Sequence, residues 1–411
     1  MKYCLIGEKL GHSYSAEIHN LNGFDYILKE IPATQLKSFV LDNDYDGYNV
    51  TIPYKKQVIP YLDELDEIAK ITGAVNTVVN VNGKKVGYNT DVLGMRYMIK
   101  RKGVTLKDKN VLILGSGGTS NTAQTLCMLD NAKKAIVVSR KGQVNYQNCY
   151  DIKDVDVIIN TTPVGMYPSV FDSPIDISKF SSLTAVFDCI YNPFTTKLLQ
   201  SAKELGLIYS DGLPMLVEQA LFSEDIWKGS NHDKKLTEEI ILKIRREKSN
   251  LVLFGMPSSG KSTIGKEVAK VLNREFIDLD EYVTKTYGKT PSDIITEQGE
   301  KAFREIETNA VKEVCKYSNK VISLGGGTVI DPQNVKNLSK NGVMIYVKRS
   351  LEKLISTDRP LSKSVGIENL YNMRKEIYEN AKDAEINNDK TVEDSVKEII
   401  KVYETACNKW C

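Results

Sequence analysis

Short apolar runs rich in Val and Ile recur along the chain, at residues 2–7, 111–115, 135–138, 155–160, 185–190, 251–255, 276–280, 321–325 and 343–348. Amphipathic stretches with helical spacing fall between many of them. A near-continuous apolar strand has both faces buried, so such strands alternating with helices predict parallel sheets covered on both sides. The expected fold class is α/β. One stretch breaks the rhythm. Residues 228–250 (KGSNHDKKLTEEIILKIRREKSN) are over half charged or polar, with a small helix-like patch at Ile240, Ile241 and Ile244 and no strand. It reads as a connector between domains. Near residue 100 a new strand–helix series opens, led by Val111. The expected units are therefore 1–100, 101–227 and 250–411, with a linker over 228–249.

Composition narrows the functional classes. A chain of 411 residues suits two or three domains at roughly 150 residues each. Its 55 basic and 53 acidic residues leave a net charge of +2, which offers nucleic acid or an anionic membrane no electrostatic footprint. No apolar run has the length of a membrane span, and Glu8 arrives too early for a signal-peptide core. Seven scattered Cys suggest reduced thiols in a cytoplasm, with Cys407 and Cys411 expected as exposed tail thiols. The three His (12, 19 and 232) lack zinc-site spacing.

Two unlike glycine loops lie on either side of the connector. The first, Gly115-Ser-Gly117-Gly118-Thr-Ser-Asn-Thr-Ala123, follows a buried strand and opens a helix. Glycines there let backbone turn tightly and approach a pyrophosphate attracted by the helix N-terminus; a tight turn without a ligand is the competing reading. The next strand ends at Val138-Ser139-Arg140-Lys141, with no acid to grip a ribose 2′-hydroxyl. A Ser and two cations suit a 2′-phosphate, hence NADP, unless they are only solvated loop charges.

Polar clusters precede that loop: Ser13-Tyr14-Ser15, whose hydroxyls share a side if extended; Asn49-Val-Thr51-Ile-Pro-Tyr-Lys55; Asn76; and Asp91, which alone reads as a helix N-cap. With Gly11-His12 ahead of Ser13, His19-Asn20, Asn89-Thr-Asp91, Asn160-Thr-Thr-Pro-Val-Gly-Met166, Asp188-Cys-Ile-Tyr191 and Asp211-Gly-Leu-Pro-Met-Leu-Val-Glu-Gln219, they resemble the shikimate dehydrogenase family over about residues 1–230. The chain departs from that family at Lys9 and Ala16, where Pro is usual, and at Thr119, where Ala is usual. The resemblance implies a substrate domain, a Rossmann domain whose last helix returns to it, and reduction of 3-dehydroshikimate to shikimate by NADPH. It implies Lys55 as proton donor oriented by Asp91. Ser13 and Ser15 would hold the carboxylate, and Thr51, Asn76, Tyr191 and Gln219 the hydroxyls. Gly115, Gly117, Gly118, Ser139 and Arg140 would hold NADP.

The second loop, Gly255-Met-Pro-Ser258-Ser259-Gly260-Lys261-Ser262-Thr263, matches G-x-x-x-x-G-K-[ST] in full and follows the strand near Leu251. Backbone N–H groups cradle phosphates, Lys261 reaches the β and γ phosphates and Ser262 ligates Mg²⁺. No Asn-Lys-x-Asp follows, which disfavours a GTPase. Asp278 and Asp280 are expected to share a strand face. Together with Phe303-Arg304-Glu-Ile-Glu307, Gly325-Gly326-Gly327, Arg359-Pro-Leu361 and Arg374-Lys-Glu-Ile-Tyr378, the loop resembles the shikimate kinase family, a P-loop fold, over about residues 249–411. That resemblance implies Arg304 and Arg374 on the shikimate carboxylate and Gly326 and Gly327 lining its pocket. It implies Asp280 as base, Lys261 and Arg359 on the transferred phosphoryl, and Asp278 with Ser262 on Mg²⁺. In the bland alternative, Arg304 pairs with Glu300 or Glu307 and Arg374 with Glu376 or Glu379. Ser356 and Thr357 stand where the family often has another Arg, so the hold on adenine is open. Both halves name one metabolite, and the expectation is a cytoplasmic bifunctional enzyme of chorismate biosynthesis without nucleic-acid or membrane partners. Two alternatives stay open: one half is a degenerate binding module, or the first half is a quinate/shikimate dehydrogenase using NAD.

Overall fold

The first strands build a six-stranded sheet: β1 (Tyr3–Gly7), β2 (Tyr26–Glu30), β3 (Gly47–Val50), β4 (Glu64–Leu65), β5 (Thr77–Val81) and β6 (Lys84–Tyr88), in the order β2-β1-β3-β5-β6-β4. The computed structural model describes residues 1–11, 14–42, 44–354 and 366–409. Ser13, Ser356, Thr357 and the Asp358–Leu361 run with Arg359 lie outside the described residues, as does Cys411. The chain divides into two compact units, Met1–Ile241 and Leu242–Cys411.

The first sheet departs from the all-parallel expectation. β5 runs antiparallel to both β3 and β6. The reason is local: Asn82 and Gly83 both have positive φ, 52° and 82°, the pair of left-handed residues that a tight hairpin requires. The second sheet of this unit is wholly parallel: β7 (Asn110–Leu114), β8 (Lys134–Val138), β9 (Val157–Asn160), β10 (Ala185–Asp188) and β11 (Ile208–Ser210), in the order β11-β10-β9-β7-β8. Alternation along its strands feeds two cores. Val111, Ile113, Val157 and Ile159 pack with Met95, Met98 and Leu126 on one face; Leu112, Leu114, Ile158 and Val186 pack with Leu198 and Leu199 on the other. Helix Leu213–Lys228 lies along helix Asp91–Arg101 and ends with Trp227 stacked 4.7 Å from Tyr3 of β1. Gly94 permits this approach, since a Cβ there would stand 2.5 Å from the Met215 carbonyl oxygen.

Most of the 228–250 stretch is a helix, Lys234–Lys248, which buries Ile240, Ile241 and Ile244. The second unit holds a five-stranded parallel sheet: β12 (Asn250–Phe254), β13 (Glu275–Asp278), β14 (Lys320–Ser323), β15 (Gly342–Lys348) and β16 (Ala384–Asn387), in the order β13-β14-β12-β15-β16. Two expectations are corrected here. β13 stops at Asp278, not at residue 280. The Asp278 carboxylate accepts the backbone N–H groups of Asp280 and Glu281 at 3.0 and 3.3 Å and so starts helix Leu279–Tyr287. Asp280 is thus a helical residue, and the two carboxylates share no strand face. Cys407 is no tail thiol. It is fully buried, because helix Val392–Lys409 turns Val396, Ile399, Tyr403 and Cys407 onto the sheet, and burial pushes its thiol up to about 11.

Candidate functional site

Each unit holds its own polar cleft at the C-terminal ends of its strands. In the first unit a cleft of about 630 Å³ is lined by Ser15, Asn49, Thr51, Lys55, Asn76 and Asp91 on one side and by Thr119, Met166, Tyr191 and Gln219 on the other. The Lys55 ammonium donates to Asp91 Oδ2 at 2.6 Å, both side chains being largely shielded. Asp91 opens helix Asp91–Arg101 as its first residue, with Thr90 in the cap position; the positive end of the helix dipole favours a carboxylate there. The Asn76 amide donates to Asp91 Oδ1 at 3.0 Å, to Thr90 Oγ1 at 2.8 Å and to Gln219 Oε1 at 3.2 Å. Gln219 is itself anchored by donating to the Leu216 carbonyl. One continuous chain of hydrogen bonds therefore joins Lys55, Asp91, Asn76 and Gln219. Ser15 and Thr51 line the same cleft. Ser15 begins helix Ser15–Leu21, so the condition of an extended segment is not met at this residue. Tyr191 packs its ring 5.2 Å from Tyr14, and burial raises its phenol.

The glycine loop of this unit follows β7. Gly115 has φ 106°, and a Cβ on it would lie 2.8 Å from Thr161 Oγ1, so only glycine fits. Cβ positions on Gly117 and Gly118 meet nothing, which leaves bare backbone facing solvent. Helix Gly118–Leu129 starts with no side-chain cap, and its first N–H groups are available to an anion. Ser139 and Arg140 follow β8; Arg140 is exposed and makes no ion pair among the described residues. Open backbone and an uncommitted cation fit a dinucleotide with a ribose phosphate.

In the second unit two pockets meet at Asp280. The first, about 200 Å³, is lined by Ser258, Gly260, Lys261, Ser262, Thr263, Asp278 and Asp280. Lys261 is buried and bends over the loop, donating to the carbonyls of Gly255 and Met256 at 3.1 and 2.8 Å. Ser262 donates to Asp278 Oδ2 at 2.6 Å, the hydroxyl–carboxylate pair that an Mg²⁺ of a nucleotide site would find. Gly255 could not carry a side chain, since a Cβ would lie 2.5 Å from the Val347 carbonyl oxygen. The buried hydroxyls of Ser258 and Ser259 have no partner among the described residues. Such a cradle fits phosphates.

The second pocket, about 250 Å³, is lined by Asp280, Phe303, Arg304, Glu307, the Gly325–Gly327 backbone and Arg374. Arg304 donates to Glu307 Oε2 at 2.7 Å and Glu300 Oε1 at 3.0 Å, so the pairing named as the bland alternative exists: the Glu307 half lies buried in the pocket, the Glu300 half on the exposed surface. Arg374 makes no such pair among the described residues. It is buried and donates to the Gly326 carbonyl at 2.9 Å, beside Tyr378, which donates to the same oxygen. Glu379 pairs instead with Lys348 and Lys382.

The chain is similar to the NADP(+) shikimate dehydrogenase of Clostridium perfringens, with 36% identity over an alignment of 258 positions, covering 57% of this chain and 95% of the relative. The chain belongs to the shikimate dehydrogenase family. The shikimate dehydrogenase substrate binding domain matches residues 5–78 of this dehydrogenase. Among solved structures it is similar to a chorismate mutase/shikimate 5-dehydrogenase fusion from Clostridium acetobutylicum, at 37% identity and TM-score 0.56, covering 59% of this chain and 96% of that one. It is also similar to the Thermus thermophilus shikimate 5-dehydrogenase in complex with NADP(H) and shikimate, at 26% identity and TM-score 0.53, covering 59% of this chain and 99% of that one. The shikimate kinase family matches residues 257–404. A dehydrogenase and a shikimate kinase domain thus share one chain, as the two sets of motifs imply, and the protein is a bifunctional enzyme.

Motif reading passed over several supporting residues of this dehydrogenase–kinase. Asn49 donates to the Asn76 carbonyl, Thr77 Oγ1 and Ser223 Oγ at 3.0–3.1 Å and accepts from Tyr26, holding Asn76 from behind. Glu307 takes the Thr328 hydroxyl at 2.6 Å as well as Arg304. His19 is wholly buried, with Nδ1 2.8 Å from Glu224. All three lie inside quoted motifs, Asn49 and His19 in the first half and Glu307 in the second, but most of their partners lie too far along the chain for the motifs to show what they hold.

Proposed function

We propose that the chain performs two successive reactions on one ring acid: NADPH-dependent reduction of 3-dehydroshikimate to shikimate in residues 1–227, and ATP-dependent phosphorylation of shikimate to shikimate 3-phosphate in residues 250–411. What carries the reading is the hydrogen-bonded chain of Lys55, Asp91, Asn76 and Gln219 across one cleft, a polar cage suited to a hydroxylated substrate whose buried hydroxyls must all be paired. When bound, NADPH supplies the hydride, ATP the phosphoryl group and Mg²⁺ neutralising charge. Lys55 gives its proton to the carbonyl oxygen as the carbon is reduced, and Asp91 keeps the ammonium aimed. Ser13 and Ser15 hold the carboxylate; Thr51, Asn76, Tyr191 and Gln219 hold the hydroxyls. Gly115, Gly117, Gly118, Ser139 and Arg140 bind the dinucleotide, and the absence of an acid after β8 favours NADPH over NADH.

In the kinase, Arg304 and Arg374 fix the carboxylate with planar forks, next to Gly326 and Gly327. Asp280 stands where the two pockets of its unit join and takes the proton of the attacking hydroxyl. Lys261 and Arg359 stabilise charge on the transferred phosphoryl; Gly255, Ser258, Ser259, Gly260 and Thr263 cradle the phosphates, and Ser262 with Asp278 holds Mg²⁺. The test is to assay Lys55→Ala and Lys261→Ala separately. Each abolishes one activity, by 10²-fold or more, and spares the other. Loss of neither, or of both in a folded chain, refutes the roles. The ratio of KM for NADH to that for NADPH decides the cofactor.

A further inference from the structure

The phosphate loop of the kinase is gripped from behind by side chains that no phosphate-binding motif contains. Asn388, the residue after β16, donates its amide to the Ser259 carbonyl at 2.8 Å. Ser395, wholly buried one turn into helix Val392–Lys409, donates its hydroxyl to Asn388 Oδ1 at 2.9 Å, which fixes which end of the amide faces the loop. The backbone of Asn388 is pinned as well, its N–H reaching the Lys348 carbonyl at 2.8 Å. Gly260 makes room for the contact, because a Cβ there would stand 2.4 Å from Asn388 Nδ2. Arg349 holds the preceding carbonyl, that of Ser258, at 3.0 Å.

Peptide geometry turns this grip into a direction. The Ser259–Gly260 bond is not among the cis peptides, and in a trans peptide the C=O and N–H point opposite ways. Holding the Ser259 oxygen outward therefore aims the Gly260 N–H inward. Gly260 lines the phosphate pocket, and its N–H has no partner among the described residues. No other hydrogen bond among the described residues holds this plane directly, and glycine at φ 89° is the residue least able to hold a conformation by itself. We propose that Asn388, oriented by Ser395, is a positioning residue for phosphoryl transfer: it fixes the peptide plane that presents the Gly260 N–H to the nucleotide phosphates. The proposal rests on the reading of the second unit as an ATP-dependent kinase.

The test uses the full chain with Asn388→Asp, Asn388→Ala and Ser395→Ala. Asn388→Asp keeps the shape but cannot donate. For each, KM for ATP, KM for shikimate and the affinity for ATP·Mg²⁺ by calorimetry are measured, with 3-dehydroshikimate reduction as an internal control. The expected result for both Asn388 variants is a rise of about tenfold in KM and Kd for ATP, the size of one buried hydrogen bond. KM for shikimate and the reductase rate stay at wild-type values. Ser395→Ala moves the same two quantities less, by roughly threefold. The proposal is overturned if ATP affinity in Asn388→Asp stays within twofold of wild type. It is equally overturned if KM for shikimate rises in parallel, which is the signature of general loosening. Should the Asn388 variants not fold, an unchanged ATP affinity in Ser395→Ala overturns it. Failure of the wild-type chain to bind ATP at all counts against the kinase reading itself and is seen before any variant is made.

Discussion

Gly327→Ala is expected to separate stability from catalysis in the kinase. A Cβ built on Gly327 lies 2.3 Å from Arg304 Nη2 and 2.5 Å from its Cζ and Nη1. Carbon and nitrogen at rest approach to roughly 3.5 Å, so the guanidinium must retreat by about 1 Å. Its bonds to Glu307 at 2.7 Å and Glu300 at 3.0 Å cannot both survive that shift, because hydrogen bonds weaken beyond about 3.2 Å. The backbone is not the obstacle, for Gly327 has a negative φ, −108°, outside the left-handed region that favours glycine. The clash is with the far end of a flexible side chain, so the stability cost is about 1 kcal/mol, the low end for overpacking. The functional cost is larger: a clamp misplaced by ~1 Å lowers kcat/KM for shikimate on the order of 10²-fold, or about 2.7 kcal/mol. A coupled ADP-release assay at varied shikimate, with thermal melts alongside, measures both. An unchanged KM for shikimate, or an equal loss in the dehydrogenase, would refute the reasoning.

The other predictions concern the first unit. Gly94→Ala sets a Cβ 2.5 Å from the Met215 carbonyl oxygen and 2.9 Å from Gln219 Cβ; a backbone atom cannot swing aside, so the chain loses about 1–3 kcal/mol, KM for 3-dehydroshikimate rises as Gln219 is displaced, and kinase rates hold. For His232, burial alone would lower its pKa, but hydrogen bonds with Glu218 and Asp225 outweigh it and hold the imidazole above 6.5. A raised folded value means that this stabilisation is complete below pH 6.5 and fades as pH climbs through the folded value. The melting-temperature gap between wild type and His232→Gln should therefore shrink from pH 6 to pH 9; a gap that widens would contradict the assignment.

Much of the fold was legible because it is written locally. Apolar runs mark eight of the ten strands of the two parallel sheets to within a residue or two, missing only the short edge strands β11 and β16, and the phosphate loop carries its mechanism in consecutive residues. What escaped depends on residues far apart in the chain. Asn388 meets Ser259 across 129 positions and His19 meets Glu224 across 205; no spacing rule reaches that far. The hairpin at Asn82-Gly83 did have a local signature, but the expectation of uniform parallel strands obscured it. Asp280 was misplaced for a different reason: strand continuation and a capping Asp look alike in an apolar–acidic run, and only the pairing of the Asp278 carboxylate with two N–H groups ends the strand.

The most direct test supplies the whole chain with 3-dehydroshikimate, NADPH, ATP and Mg²⁺ and follows the ring acid by mass spectrometry. Shikimate 3-phosphate should form; without ATP the reaction should stop at shikimate, and without NADPH it should not begin. Accumulation of unphosphorylated shikimate in the complete mixture, or no NADPH oxidation at all, would contradict the account.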